Sequence, residues 1–507
     1  MVQHLLIILS SVLFVIPFLN FNFWPLSWVC FVPLFYLFKS SNLSSLKIGL
    51  VFGTIVTLIG TYWIPATIVN QTGADYTVSI VTHFFYAIYE SLFYIIVFLL
   101  FKFVSTKNYN KSYKYCLFIF FYIVLENYFP RIFPYRLGNS QILFQESAQL
   151  ISIFGLNILS ILVLIGNIGI YEFFFAKRNK ILIGFVLSIF IIFIYGNFAI
   201  SKIIKLHSNR DKVSISIIQP NNSIENLIQL NNSIGHKPYL IIWPESSLDR
   251  IDMYPIRFKK YHEKKFQEIF SSNHQILFGA ITGFWHSRQT PEYYANTAIL
   301  FSKKNGDEYG FHETYNKNKL MIFGEYYPLK SLISKIIPIY ETFVELKPGE
   351  ITPIRSHIPI KYKNNEIWFP KFGVVICYED LFETNSLILS NNNSHVLINI
   401  TNDWWYGDTL ASYQHLMLSI PRAIENRKYL LRSAQNGISA IISPTGEILK
   451  KIEKNKQGII NYNIELISSQ YLPTFSKYHG YINAFYLLVL ALLIFPLFSH
   501  KGRNGSD

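Results

Sequence analysis

A single thiol, Cys377, stands in the long hydrophilic segment of this chain, directly after the apolar run Gly373-Val374-Val375-Ile376 and before Tyr378-Glu379-Asp380. A thiol with a reference pKa of about 8.5 is only a few per cent thiolate near neutrality, so it needs a base to act as a nucleophile. A carboxylate can take the thiol proton as attack occurs and return it to the leaving group. Glu245, after Trp243-Pro244, is such a carboxylate. A lysine can stabilise a tetrahedral oxyanion beside a backbone N–H such as that of Tyr378. Lys317, in Tyr315-Asn316-Lys317-Asn318-Lys319, is the candidate. One carboxylate, one ammonium and one thiol suffice for acyl transfer, and no histidine is required.

Each residue also has a plainer reading. A cysteine after a buried strand is commonly a small core hydrophobe. Glu245 could be a turn residue, Lys317 a solvated charge, and Glu325, in Phe323-Gly324-Glu325-Tyr326, a cap on the next segment. What favours chemistry is the shared design of the elements around them. Residues 213–218 run into Gln219-Pro220-Asn221, 239–243 into Pro244-Glu245, 373–376 into Cys377, and 396–400 into Thr401-Asn402-Asp403. Short, continuous apolar strands predict a sheet buried on both faces. Ligands gather at the carboxyl ends of strands in such sheets, so these four polar clusters are candidates to meet at one site.

The remainder of the chain is far less polar. Over all 507 residues, 51% are apolar, 17% aromatic and only 15% charged, where a water-soluble domain is about a quarter charged. That composition excludes a disordered, collagen-like or disulfide-scaffold protein. The formal charge of +14 is no nucleic-acid footprint, because the basic residues are spread out and many flank apolar runs. Eight stretches read as membrane spans: 4–20, 22–38, 46–64, 78–104, 115–129, 148–174, 181–199 and 481–498. The run 115–129 is short, and 22–38 carries Pro25 and Pro33. The leader Met1 to His4 has no Lys or Arg, so the first run is expected to remain as an anchor.

Orientation follows from basic loops. Lys39 and Lys47, then Lys102, Lys107, Lys111 and Lys114, then Lys177, Arg178 and Lys180, and finally Lys501 and Arg503 share one side, against Arg131 and Arg136 in the short loops of the other; Lys202, Lys205 and Arg210 after the seventh span run against the rule, which a long translocated domain weakens there. Both termini are therefore expected inside, and the hydrophilic segment outside. The expected organisation is a membrane domain of seven spans over 1–208, an outer α/β domain over 209–470, and a last span with its tail over 471–507. Cys30 and Cys116 fall in spans, which leaves Cys377 without a disulfide partner in the outer domain. His83 and Glu90 fall in the fourth span, where an ionisable side chain invites a functional reading. Neither is assigned a role. No Cys/His metal-ligand spacing and no Gly-rich phosphate loop occurs, so no metal and no cofactor is expected.

Trp243-Pro244-Glu245, Lys317 with Leu320 and Phe323-Gly324-Glu325, and Ile376-Cys377-Tyr378-Glu379 together resemble the Glu-Lys-Cys triad of the nitrilase superfamily, with separations of 72 and 60 residues. Eight spans, with the domain between the seventh and eighth, narrow the resemblance to the apolipoprotein N-acyltransferase family. Asn399-Ile400-Thr401-Asn402-Asp403-Trp404-Trp405-Tyr406-Gly407, Gln414-His415-Leu416, Arg422-Ala423-Ile424-Glu425 and Asn436-Gly437 are similar to its later strand and helix motifs. Phe133-Pro134, Leu137-Gly138 and Ser140-Gln141 are similar to its outer loop. Two departures stand out. Ile322 replaces the family's usual proline, and no Trp lies between Gln219 and Trp243.

The resemblance implies an αββα sandwich on a helical membrane bundle, in a bacterial inner membrane with the sandwich periplasmic. It implies Glu245 as general base and acid, Cys377 as nucleophile and Lys317 as oxyanion stabiliser. Glu325 would orient the lysine, and Tyr378 and Glu379 would shape the nucleophile's turn. The donor would be a phospholipid, the intermediate a thioester, and the acceptor the α-amine of a diacylglyceryl-modified N-terminal cysteine. Because burying each lipid methylene is worth about 0.8 kcal/mol, the donor is expected to stay at bilayer level. The apolar stretch 326–346 is then expected to dip toward the membrane as a lipid-gating arm. Two alternatives remain at this level: a membrane-tethered nitrilase-type amidase, and a lipid-binding membrane protein with an inactive domain.

Overall fold

The computed structural model describes residues 2–40, 43–208, 212–221, 223–235, 238–252, 275–284, 292–303, 309–335, 344–361, 367–466 and 471–499. The chain divides into two compact units. One comprises Met1–Ile200, Asp408–Met417 and Lys477–Asp507, the other Ser201–Gly407 and Leu418–Ser476.

The first unit is helical. Its helices are Val2–Leu19, Val32–Ser40, Ser45–Gly60, Ile64–Thr72, Tyr76–Ser105, Lys111–Tyr128, Asn157–Ala176, the start of Lys180–Ser208, and most of Thr474–Ser499. Several begin at polar caps: Ser44, Asp75 and Asn110 each accept a backbone N–H of the first turn, satisfying donors the helix itself cannot. Among the described residues, six helical segments are long and apolar enough to cross a membrane, or seven if Ser45–Gly60 and Ile64–Thr72, bent by 58°, form one broken span. The hydropathy count of eight differs at Lys111–Tyr128, which holds Lys111, Lys114, Glu126 and four tyrosines. The run 22–38 is a 3₁₀ stretch, Phe21–Trp28 containing Pro25, followed by Val32–Ser40. The run 148–174 begins as short turns and becomes a continuous helix only at Asn157.

Small residues set a close contact between two of the long helices. A Cβ on Gly49 would lie 2.6 Å from Ile95 Cα, and one on Gly53 2.6 Å from Ser91 Cα. Spaced four apart, these glycines let Ser45–Gly60 lie against Tyr76–Ser105 backbone to backbone. The segment 408–417 is held in this unit by Gln414. Its amide donates to Phe18 O and Gly60 O, both at 3.1 Å, and accepts from Trp63 Nε1 at 2.8 Å and Tyr135 OH at 3.0 Å.

The second unit is an α/β structure with two large sheets. Its strands, in chain order, are β1 Lys212–Gln219, β2 Leu240–Ile242, β3 Leu248–Asp252, β4 Gln275–Phe284, β5 Tyr293–Lys303, β6 Tyr309–Asn316, β7 Ile354–Arg355, β8 Ile360–Lys361, β9 Ile367–Trp368, β10 Lys371–Ile376, β11 Val396–Asn402, β12 Leu430–Gln435, β13 Ser439–Ile442, β14 Ile448–Ile452 and β15 Gly458–Glu465. The first sheet has the order β15-β1-β2-β4-β5-β6, with β3 added beside β4. The second has the order β14-β13-β12-β11-β10-β7, and β8 pairs with β9 separately.

The period of two along each strand assigns alternate residues to opposite faces. Ile217, Leu240, Ile242 and Leu277 of the first sheet share one core with Val374, Ile376, Ile398, Ile400 and Leu431 of the second. Ile218, Ile241, Trp243 and Phe278 point the other way and pack with Leu227 of helix Ile224–Asn232. Both faces of the first sheet are therefore apolar, as its continuous hydrophobic runs predict. In the second sheet β10, β11 and β12 run parallel, and in the first β1, β2 and β4 run parallel. Two successive antiparallel pairings, β4 with β5 and β5 with β6, return β6 to the direction of β4. The carboxyl ends of β2 and β6 thus face the same edge.

Candidate active site

Three strand ends supply the candidate side chains. Glu245 follows β2, Lys317 follows β6, and Cys377 follows β10. The turn at Glu245 depends on Gly279 of β4, where a Cβ would lie 2.7 Å from Glu245 Cα. Pro244 O accepts from Gly279 N at 3.2 Å and Gly279 O from Ser247 N at 2.9 Å, so the turn lies flat on the neighbouring strand. Lys317 is fixed by its backbone, donating to Asn296 O at 2.8 Å and accepting from Gly349 N at 3.0 Å.

The carboxylates and the ammonium form one buried cluster. Lys317 Nζ lies 2.8 Å from Glu325 Oε1 and 3.8 Å from Glu245 Oε1. Asn296 Nδ2 bridges the two acids, at 2.6 Å from Glu245 Oε1 and 3.0 Å from Glu325 Oε1. The other Glu245 oxygen accepts Asn402 N at 2.8 Å, and the other Glu325 oxygen accepts Met321 N at 2.8 Å. Glu325 therefore pins its own turn, as its plainer reading has it, and also grips Lys317. Burial pushes the Glu245 carboxyl above its ordinary range; Lys317 pulls it down and Glu325 pushes it further up. Burial works against the Lys317 ammonium, but Glu325 and Glu245 outweigh it and hold the proton above the ordinary lysine value.

Cys377 begins a tight turn, Cys377–Leu381, at φ 49°. That left-handed conformation costs a residue with a Cβ about 1–2 kcal/mol, and such strain is commonly kept where a side chain must be aimed. The thiol is partly exposed, within electrostatic reach of Glu245 and Lys317, and hydrogen-bonded with Thr401. Burial, and then the Glu245 charge, push the thiol well above its ordinary value, with Lys317 opposing. At rest Cys377 is thus a neutral thiol, and to react as a nucleophile it would need a base beside it. Tyr378, in the same turn, is buried with its ring 4.9 Å from that of Phe382.

Glu379 holds two of these strand ends together. Its carboxylate accepts from Ile376 N at 2.7 Å, next to Cys377, and from Asn318 N and Lys319 N at 2.7 and 2.9 Å, next to Lys317. Tyr315 OH and Asn385 Nδ2 complete the shell, both at 2.9 Å from Oε1. Burial pushes this carboxyl up to about 7, with the Ile376 and Lys319 amides pulling it down. In Glu379→Gln one oxygen becomes an NH2 that faces a backbone N–H. The expected loss is about 1–3 kcal/mol of stability, read as a lowered midpoint in thermal unfolding of the detergent-solubilised protein. An unchanged midpoint would show that these contacts carry no net stabilisation.

Two contributors escape a reading of strand ends. Asn296 sits within β5, between Ala295 and Thr297, and nothing in that local pattern marks it. Arg432, fully buried on β12, reaches Asp380 Oδ2 at 2.7 Å, Asn399 Oδ1 at 2.8 Å and Asp403 Oδ2 at 3.3 Å. It ties the turn after Cys377 to the residue after Asn402. A lone charge inside Leu430-Leu431-Arg432-Ser433-Ala434 was the available signal. Conversely, the polar cluster after β1 supplies structure: Gln219 spends its amide on Glu453 O, Lys456 O and Ser439 N. Of the apolar stretch 326–346, residues 336–343 lie outside the described residues. Beside them, Leu329, Leu332 and Val344 are exposed. Ile322 pairs with Tyr326 in an isolated bridge. No group of three or more His, Cys, Asp or Glu able to hold a metal occurs among the described residues.

Two family models match the chain: carbon-nitrogen hydrolase over residues 224–472, and apolipoprotein N-acyltransferase N-terminal domain over residues 10–169. The chain is 29% identical over 526 residues to the apolipoprotein N-acyltransferase of Rickettsia typhi, covering 98% of this chain and 97% of that one. It is 29% identical over 525 residues to that of Rickettsia prowazekii, with the same coverage, and 27% identical over 473 residues to that of Wigglesworthia glossinidia brevipalpis, covering 86% and 87%. A solved amidase of the nitrilase superfamily, from Nesterenkonia AN1, aligns over 50% of this chain and 90% of its own at 15% identity, with a TM-score of 0.33.

Proposed function

The chain belongs to the apolipoprotein N-acyltransferase family, and from that premise we propose that it moves an acyl chain from a phospholipid to the α-amine of the N-terminal diacylglyceryl-cysteine of an apolipoprotein. It is an acyltransferase of bacterial membranes. In this reading Glu245 takes the Cys377 proton as the sulfur attacks an ester carbonyl of the donor. Lys317 Nζ and the Tyr378 N–H hold the tetrahedral oxyanion. The C–O bond breaks, Glu245 returns the proton to the departing lysophospholipid oxygen, and a thioester remains. The acceptor amine then attacks that thioester, Glu245 takes a proton from the nitrogen, and the amide forms as Cys377 leaves and is reprotonated.

The observation that carries this reading is the Lys317 ammonium, buried 2.8 Å from one carboxylate and 3.8 Å from another, beside a high-pKa thiol on a strained turn. A neutral thiol calls for a base at the moment of attack, and a permanently charged ammonium suits an oxyanion. Glu325 orients the lysine, and Glu379 and Tyr378 keep the turn in shape. An apolar, water-poor pocket would favour the amine over water in the second step.

The membrane arrangement we favour has eight crossings, with Lys111–Tyr128 as the fifth and the bent pair as the third. The distribution of Lys and Arg supports both termini inside and the α/β unit on the periplasmic side. The stretch 326–346 serves as the lipid-gating arm, supported by exposed Leu329, Leu332 and Val344.

Incubating the full-length protein with phospholipid in the absence of acceptor is expected to leave one fatty acyl group on Cys377, cleavable by neutral hydroxylamine and located by peptide mass measurement. Free fatty acid with no protein-bound acyl group, or turnover of small amides alone, would replace this reading with a hydrolase.

A further inference from the structure

The polar cluster Thr401-Asn402-Asp403 at the end of β11 is only partly used by the chemistry above. Asn402 gives its backbone N–H to Glu245, which leaves the side chains of Thr401 and Asp403, both buried. In the parallel pairing of β10 with β11, Ile376 stands opposite Ile400, so Cys377 and Thr401 are the next residues on adjacent strands. The Thr401 hydroxyl is hydrogen-bonded with the Cys377 sulfur. It also donates to Asp403 Oδ1 at 3.1 Å. Asp403 is itself held from behind: Arg432 Nη2 lies 3.3 Å from its Oδ2, and a Cβ on Gly437 would collide with the same carboxylate.

A hydroxyl has one proton and two lone pairs. A carboxylate facing a guanidinium only accepts, so the Thr401 proton is spent on Asp403 and the Thr401 oxygen is left to accept. At rest the neutral Cys377 thiol supplies the S–H that this oxygen takes. Once the thiol proton has gone to Glu245, the sulfur is an anion and needs donors. Rotation about one C–O bond then turns the Thr401 proton to it. Asp403 keeps the Arg432 guanidinium when the hydroxyl turns away, so the exchange strands no buried charge. The hydrogen bond with Thr401 accordingly pulls the thiol toward its ionised form, against burial and the charges of Glu245 and Asp403.

We propose that Thr401 is a further catalytic residue of this site, a hydroxyl that accepts the Cys377 S–H at rest and donates to the sulfur while the sulfur is negative. It acts twice in the acyl-transfer sequence: as the thiolate forms for attack on the donor, and as the sulfur departs from the second tetrahedral intermediate. The thiol proton passes to Glu245 in the first case and comes back from it in the second, and the hydroxyl proton never leaves its oxygen. The role rests on Cys377 as the nucleophile of the proposed reaction, but not on which acyl donor it attacks.

The test is alkylation of Cys377 by iodoacetamide in the detergent-solubilised full-length protein with no acyl donor, followed by peptide mass measurement, which separates it from Cys30 and Cys116. Below the thiol's own pKa the rate follows the thiolate fraction. Thr401→Val, close to threonine in shape but without the hydroxyl, is expected to slow alkylation about tenfold from neutral to mildly alkaline pH, and Thr401→Ser to restore it to within about twofold. A substitution that only loosened the turn would admit water to the sulfur, relieve the burial that raises the thiol and speed the reaction, which is the opposite sign. Where Thr401→Val reduces folded yield, Thr401→Ala removes the same hydroxyl and gives the same readout. An unchanged or faster rate without the hydroxyl, or a Thr401→Ser rate as slow as that of Thr401→Val, overturns the role. Acyl labelling of Cys377 from phospholipid, measured separately in the unsubstituted protein, tests the acyl-transfer reading and not this one.

Discussion

Cys377→Ser is expected to abolish the acyl-enzyme and to lower the acyl-transfer rate on the order of 10⁴-fold or more. The reasoning starts from the resting state of the thiol, already pushed well above its ordinary value by burial and by Glu245. A hydroxyl is a far weaker acid still, so a carboxylate base recovers little of the lost nucleophilicity. The oxygen would sit on the same strained turn, with φ near 49°, so the fold and the thermal midpoint should be retained. The measurement is incubation with phospholipid followed by intact-mass determination, alongside lipopeptide acylation. Cys377→Ala distinguishes a residual oxyester from labelling elsewhere. An acyl group persisting on the alanine variant would remove Cys377 from the chemistry.

Glu245→Gln comes next in size, with an expected loss of about 10²–10⁴-fold in kcat/KM, the usual range for a positioned general base. Its pH signature separates a base from a structural carboxylate. The folded-state pKa of Glu245 is raised, so the protonated form, unable to accept the thiol proton, persists to higher pH than for a free glutamate. Activity of the unsubstituted protein should therefore fall as pH drops through that raised value, and the acidic limb should vanish in Glu245→Gln. Lys317 keeps its proton past the ordinary lysine range, so it adds no loss at neutral pH. The amide can still accept Asn402 N through its oxygen, which limits damage to the fold. A variant that keeps the acidic limb would assign that limb, and the base, to another group.

The candidate site was legible in the sequence where a strand end coincided with a change in polarity. Glu245 and Cys377 each terminate an apolar run whose residues have little to do but fill a core, so their polarity stood out, whereas Lys317 follows the polar Glu313-Thr314-Tyr315-Asn316 and was marked by the family resemblance. Asn296 could not be found this way. It lies inside β5, and its role arises from register, since β4, β5 and β6 bring it beside Glu245 and Lys317. Arg432 was hidden for a related reason: its partners Asp380, Asn399 and Asp403 come from other strand ends and are remote in sequence. Gln219 misled in the opposite direction, a polar strand end whose partners proved to be backbone groups around β13 and the β14–β15 turn. The helical unit was legible in its apolar composition but less so in its breaks. Hydropathy sums over a window and is blind to the kink after Gly60 and the 3₁₀ stretch around Pro25.

The four bonds of Gln414 bear on whether the catalytic part could ever live alone. That amide belongs to the helical unit, although α/β sequence flanks it on both sides. A fragment cut as 209–470 would carry Gln414 away from Phe18, Gly60, Trp63 and Tyr135, stranding polar groups on each severed piece. The polypeptide is thus stitched at an internal point as well as at its ends.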